Sequence, residues 1–536
     1  MPKEFKRSLT GVSLMFAAIS GVMGSAWLFG PYYASKMAGP ASVIAWGIGG
    51  VAMLIIAMTF AELSCMMPLP GGQARFIHLS HGTFSSFLFT WIMWLGYAAV
   101  APVEAMGILQ YLSGVLPWLI TRENGVATLT MSGYFCAAGL LLFLCWLNFS
   151  SIKWLARYNA VIVWVKVLVP VVIVSTLLYF CFNLGNFHIP SGFMPYGIDG
   201  IDKAISVGGI IFAFAGYAPA IVLAGESKNP QKTIPLVLLG SLGVCMILYT
   251  ALQVVFIGAQ DPSALQHGWH NLNFANDASP FFGIADRLHL PKLQYLIFLT
   301  ALITPFGTAL IFVATSSRVA YAMSKNGYFP KIMQNLNKNS VPFVAVMLNF
   351  IVGMVFFFPI PGWQGMMEFL VSAFVLCYVI GPISVLALRK QAFDVTRPFK
   401  LPLSTIWCFF AFYFSNLIIY WTGWKIYSHM LIAILIGIVI LVVMFISNNK
   451  KHKTPFSDLD MKHSIWAITY LVGMGIITYL GHMHGDTGII PTNYSYLVIA
   501  IFSASILLLS FLNRLSGEKH QIYMEQANKE LKIQNS

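Results

Sequence analysis

SGVMGSAWLFGPYYA (residues 20–34) and FAFAGYAPAIVLAGESKNP (residues 212–230) are apolar stretches broken by glycine at matching places. In a bilayer, unwound backbone leaves N–H and C=O groups without partners, so it persists only where protein or a water-filled cavity supplies them. A pair of such breaks in corresponding halves of a chain points to a binding site between two structural repeats.

The 536 residues are 58% hydrophobic and only 9% charged, and many apolar runs are long enough to cross a ~30 Å hydrocarbon core. The sequence therefore predicts an all-α integral membrane protein. Spans are expected at 9–36, 41–66, 84–118, 130–149, 155–183, 202–224, 234–258, 293–323, 341–359, 366–388, 404–424, 428–447, 464–481 and 494–513. That makes about fourteen, with twelve as the alternative.

Short cytoplasmic loops collect Lys and Arg. With the N-terminus inside, 24 of the 31 Lys and Arg lie in cytoplasmic segments and 6 outside. Lys166 is left over, inside a span. The formal charge of +13 then follows from basic loops facing an anionic leaflet, which excludes nucleic acid as a partner. Nothing before residue 9 resembles a cleavable signal. Seven cysteines, within or at the edges of spans and without metal-ligand spacing, read as small packing residues rather than a disulfide framework.

The only extended polar pieces are 259–292, 448–463 and 514–536. Spans 1 to 5 (9–183) and 6 to 10 (202–388) each hold an odd number, so the second set enters from the opposite side, giving an inverted repeat with spans 1 and 6 as equivalents. The expected division is a repeat-based core over 1–400, additional spans over 401–513 and a cytoplasmic tail over 514–536.

Four motifs in order carry a family resemblance: GVMGSAWLF (21–29), AELSCMMPLPGGQARF (61–76), AGESKNPQKTIP (224–235) and SSRVAYAMSKNGYFP (316–330). Over residues 9–400 the chain resembles the amino acid–polyamine–organocation permeases, whose fold is the leucine-transporter-like five-plus-five inverted repeat. GSAWLFG (24–30), AGPASVIAW (38–46), SHG (80–82) and PVEA (102–105) are similar to bacterial and archaeal relatives of the aspartate:proton symporter. That subgroup usually has glycine in place of Ala26 and polar residues in place of Ala218 and Pro219.

A half-helix beginning near Gly24 would aim free N–H groups and a positive dipole end into the break, which suits a carboxylate. Gly24, Ser25 and Ala26 are expected to hold a substrate α-carboxylate, and the carbonyls of Val22 and of Phe212 to Ala215 an α-ammonium. The resemblance implies the same division. Gly21, Gly24 and Gly216 would be required where a Cβ crowds the ligand, although small residues also serve close helix packing. Phe212, Phe214, Tyr217 and Phe312 are candidates for the side-chain pocket, or for ordinary core packing. With no basic group among them, that pocket suits a neutral or apolar amino acid.

Lys166 lies about eleven residues into span 5, roughly 16 Å deep at ~1.5 Å per residue. A charge near mid-bilayer is costly and by default functional. In proton-coupled relatives a span 5 lysine takes the place of the cation bound by sodium-coupled ones, and Lys166 matches that position. Its ammonium is expected on carbonyls near Gly21 and on the hydroxyl of Thr308, with Thr304 one turn earlier. Glu104 in span 3 is the second intramembrane ionisable group, as a proton carrier, a vestibule carboxylate or a structural one. Glu62 and Glu226 are expected to pair with loop cations or backbone N–H groups, and Arg318 to anchor an inner gate. GHMHGD, with His482, His484 and Asp486, reads as a polar turn rather than a metal site.

These features predict a secondary transporter, not an enzyme: a proton-coupled amino acid symporter of the bacterial cytoplasmic membrane, with both termini inside and no cofactor beyond the proton gradient. The implied partners are an amino acid and the bilayer; no oligomeric state is specified. The alternative is an exchanger of amino acids or amines, a mode the same fold supports but whose members often lack the span 5 lysine.

Overall fold

A computed structural model describes residue 5 and residues 7–535, apart from 124–125, 151, 190–191, 275–279, 359–361, 453–458 and 484–486. Its helices follow the apolar runs, because hydrocarbon cannot bond to backbone and a helix satisfies its own.

Helix α1 (Gly11–Val22) opens on Thr10, whose hydroxyl accepts the Ser13 N–H at 3.2 Å. It stops where Met23 leaves helical angles, at φ −90° and ψ 73°. After this break comes α2 (Ala26–Ala38), then α3 (Ser42–Met66) and the long α4 (Gln73–Leu112). A two-stranded antiparallel hairpin, β1 (Ile120–Glu123) and β2 (Val126–Leu129), leads into α5 (Met131–Asn148) and α6 (Ile152–Phe180).

The second series begins with α7 (Gly197–Ser206), α8 (Ile210–Phe214) and α9 (Ala218–Val222), followed by α10 (Pro230–Gly258). Short α11 (Pro262–Leu265) and α12 (Pro280–Arg287) precede α13 (Pro291–Lys325), α14 (Phe343–Phe356), α15 (Gly362–Tyr378) and α16 (Ile380–Gln391). The remainder is α17 (Ser404–Thr422), α18 (Trp424–His452), α19 (Ile465–Leu480), α20 (Thr492–Leu512) and α21 (Glu518–Asn535).

Among the described residues, eleven helices are long and apolar enough to cross a membrane, or twelve when the bent pair Gly197–Ser206 and Ile210–Val222 forms one span. Two of the fourteen expected spans, the first and the ninth, are present as apolar helices that fall short of that length. The break leaves Gly11–Val22 only 12 residues long, and Phe343–Phe356 has 14. Span 3 begins near residue 84 as expected: Gly82, at φ 83° and ψ −171°, separates it from a short helix that starts at Gln73. The span 6 interruption has two parts. One 3-10 turn at Ala215–Tyr217 replaces the expected wider unwinding, and the sharper bend, 42°, falls earlier, at Val207–Gly209, where Gly209 takes φ 89°.

Large apolar side chains such as Phe135, Val161, Leu168, Ile247, Val439 and Ile501 point outward, as expected of a surface solvated by lipid tails. Inside, α1 lies against α6, α10 and α13 and crosses the 3-10 turn, while α4 runs along α13 and α15. The added helix α17 packs directly on α3, α7, α15 and α16. The expected tail is a helix docked on the body: Glu530 pairs with Arg75 at 3.1 Å, and Asp460 accepts from Lys519 at 2.7 Å and Tyr523 at 2.9 Å.

Candidate functional site

The break after α1 strips regular partners from the backbone around it, and each buried group needs another. Gly24 N–H turns to Val22 O at 3.1 Å instead of continuing the helix. Ser20 O accepts from the Lys166 ammonium at 2.8 Å and from the Thr308 hydroxyl at 2.6 Å. Val22 O accepts also from Tyr249 at 2.8 Å, and Ser25 N–H donates to Glu104 Oε2 at 2.8 Å. Side chains from α4, α6, α10 and α13 thus hold the break open.

The second interruption meets the first at two glycines. A Cβ on Gly216 would collide with the Gly21 carbonyl, and one on Gly21 with the Gly216 carbonyl. Only glycine lets these backbones approach so closely. Ala215 O accepts from Tyr378 at 2.7 Å.

Gly21, Val22, Gly24, Ala26, Phe212, Gly216, Thr308, Phe312 and Glu104 border one narrow cavity, completed by Val100 and Phe374. The other expected site residues lie outside its wall. Ser25 is turned so that its hydroxyl accepts from Trp363 at 2.7 Å, Ala215 is buried behind the turn, and Tyr217 stacks on Tyr378 with centroids 5.2 Å apart. Lys166 stands one layer back, its ammonium donating to Thr308 Oγ1 at 2.8 Å.

Two contacts sharpen the expectation. The carbonyl near Gly21 that the lysine reaches is that of Ser20, the acceptor that Gly24 N–H abandons. Thr304 serves Trp27, whose indole N–H reaches its hydroxyl at 3.3 Å. Among the described residues no cluster of His, Cys, Asp and Glu could hold a metal.

The amino acid permease family model matches residues 9–445. The chain belongs to the amino acid permease family. It is 35% identical to the glutamate/serine transporter AimA of Bacillus subtilis, over 93% of this chain and 92% of that protein. It is 33% identical to the aspartate-proton symporter of the same organism, over 94% and 96%. The branched-chain amino acid permease BcaP is 26% identical over 84% and 95%. The protein is an amino acid permease and a multi-pass membrane protein, not an enzyme.

Beyond the cavity, this permease buries two carboxylate–guanidinium clusters. Glu226, after α9, pairs with Arg318 on α13, both buried. Glu62 on α3 receives Arg389 at 2.6 and 2.8 Å and Leu401 N–H at 2.8 Å, with Arg397 at 3.7 Å. Both acids pair with guanidinium groups, Glu62 as expected and Glu226 with a helical rather than a loop cation. His482 bonds Tyr420 at 3.1 Å and lies 3.9 Å from Asp199; His484 and Asp486 are outside the described residues.

Ser20, Tyr249, Trp363 and Tyr378 bond at the two breaks without having been marked in the sequence. Tyr249 carried a usable signal: a hydroxyl in the middle of an apolar span needs an acceptor in protein. Trp363 follows a Pro-Gly pair in the first turn of α15, before any apolar repeat that could aim it is established.

Proposed function

We propose that this permease is a proton-coupled symporter that imports an amino acid across the bacterial cytoplasmic membrane. The observation that carries the proposal is the Lys166 ammonium on Ser20 O and Thr308, both at 2.8 Å. A cation there joins α1, α6 and α13 while protonated and frees them when the proton leaves. The printed name of one relative, an aspartate-proton symporter, agrees with proton coupling.

The substrate sits in the cavity at the two interruptions, its α-carboxylate toward the N-terminus of α2 and its α-ammonium toward the carbonyls that end α1 and α8. Phe212, Phe312 and Phe374 line the wall, which favours a neutral side chain over the acidic ones named for the relatives. Residues 9–183 and 202–388 are the two inverted halves of a core spanning 1–400, and the bundle of spans 1, 2, 6 and 7 rocks against the rest. The spans over 401–513 brace that core. Both termini are cytoplasmic, and the proton gradient alone drives transport.

Purified permease in liposomes, offered labelled serine, alanine, leucine, phenylalanine, glutamate or aspartate, tests this. An inward proton gradient should drive accumulation of a neutral member into vesicles without internal amino acid. Uptake that ignores the gradient and requires preloaded amino acid would establish the exchanger instead.

A further inference from the structure

Glu104 is fully buried on α4 and faces the first break. Its Oε2 accepts the Ser25 N–H at 2.8 Å. Its Oε1 lies against Gly24, where a Cβ would strike it, and has no hydrogen-bond partner among the described residues. Both Glu104 and Gly24 border the cavity. A carboxylate of the protein therefore already occupies the N-terminal end of the 13-residue helix α2, a place suited to one anion. Two carboxylates on one donor repel each other strongly away from water.

We propose that Glu104 competes with the substrate's α-carboxylate for the Ser25 N–H, so that substrate loads together with a proton that neutralises Glu104. This rests on the substrate placement proposed above. The proton comes from water on the side of loading and adds to a carboxylate oxygen. The neutral acid gives up Ser25 N–H and turns its O–H toward the arriving carboxylate. On release the O–H bond breaks, the proton departs with the amino acid, and the carboxylate returns to Ser25. Each transfer exchanges one O–H bond of a hydronium ion for the O–H bond of the carboxyl group, on loading in one direction and on release in the other.

The ionisable groups facing Glu104 are Lys166 from α6 and Tyr249 from α10. Each bonds a backbone carbonyl of α1. Cys245, also on α10, is near Lys166. Because Lys166 also binds a proton, the test must separate the two groups.

Binding of whichever panel amino acid the full-length permease transports is measured by calorimetry between about pH 6 and pH 8.5, with proton uptake followed in weak buffer. Wild type should take up a proton on binding at the alkaline end, and its affinity should weaken with rising pH by at most about tenfold per unit. Glu104→Gln should bind with most of that pH dependence and proton uptake gone. Glu104→Asp, one methylene shorter and still anionic, should compete less well and bind more tightly than wild type at the alkaline end.

Wild-type binding that takes up no proton and is equally tight at both ends overturns the proposal, whether or not the variants fold. So does a Glu104→Gln protein with wild-type pH dependence. A folded wild type that binds no panel member overturns the substrate placement itself, a distinct result.

Discussion

Lys166 finds its acceptor at a defect in the neighbouring helix. Ser20 O loses its helical donor at the break, and the ammonium and the Thr308 hydroxyl replace it at 2.8 and 2.6 Å. Hydrogen bonds to a charged group contribute about 1.5–3 kcal/mol each, enough to change a rate about tenfold or more. Lys166→Ala should accordingly lower gradient-driven uptake at least about tenfold, while exchange between preloaded and external amino acid persists. Full gradient-driven uptake by that variant would remove Lys166 from the coupling mechanism. The lysine was legible as a lone charge deep in an apolar run. Its acceptor was legible only as a carbonyl near Gly21, since naming Ser20 requires knowing which carbonyl the break orphans.

The crossing of the two interruptions sets the tolerance of these elements to substitution. Gly216→Ala would push a methyl into the Gly21 backbone, which no rotamer change relieves, so a loss of about 1–3 kcal/mol or more is expected. Gly139→Ala on α5, where a Cβ meets nothing within 4 Å, should be neutral or stabilising by up to about 1 kcal/mol. Thermal unfolding of the two variants in detergent compares them directly. Arg318→Ala strands the buried Glu226 carboxylate and should cost about 3–5 kcal/mol, whereas Arg318→Met with Glu226→Gln should recover most of it. A double variant as unstable as the single one would show that the guanidinium acts through packing. The glycines at 21, 24 and 216 stood out from sequence because they interrupt apolar runs. That the interruption of span 6 is a single 3-10 turn preceded by a bend at Gly209 could not be foreseen, because helix-type backbone angles with one altered bond leave no compositional mark.

The proposed sidedness, with the N-terminus inside, puts the loop over 259–292 outside and the one holding Lys338 inside. Both His267 and Lys338 are exposed, and the seven native cysteines are buried or partly so. In intact cells an impermeant thiol reagent should label His267→Cys and spare Lys338→Cys until the membrane is opened; the reverse pattern would invert the topology. Composition alone determined that the chain spans a membrane, because an unbroken apolar run has no other stable place for its surface and its peptide groups. Motif order determined the family, and the glycine pair located the place where the two interruptions meet. Partnership was decided only by tertiary structure. Ser25 N–H, assigned from sequence to a substrate, is held by Glu104; the hydroxyl of Thr304 receives Trp27; and the chain's last helix docks on Arg75. Each of these joins residues far apart in sequence. A local pattern shows which backbone groups a break exposes, but which side chain reaches them depends on how helices separated by hundreds of residues pack together.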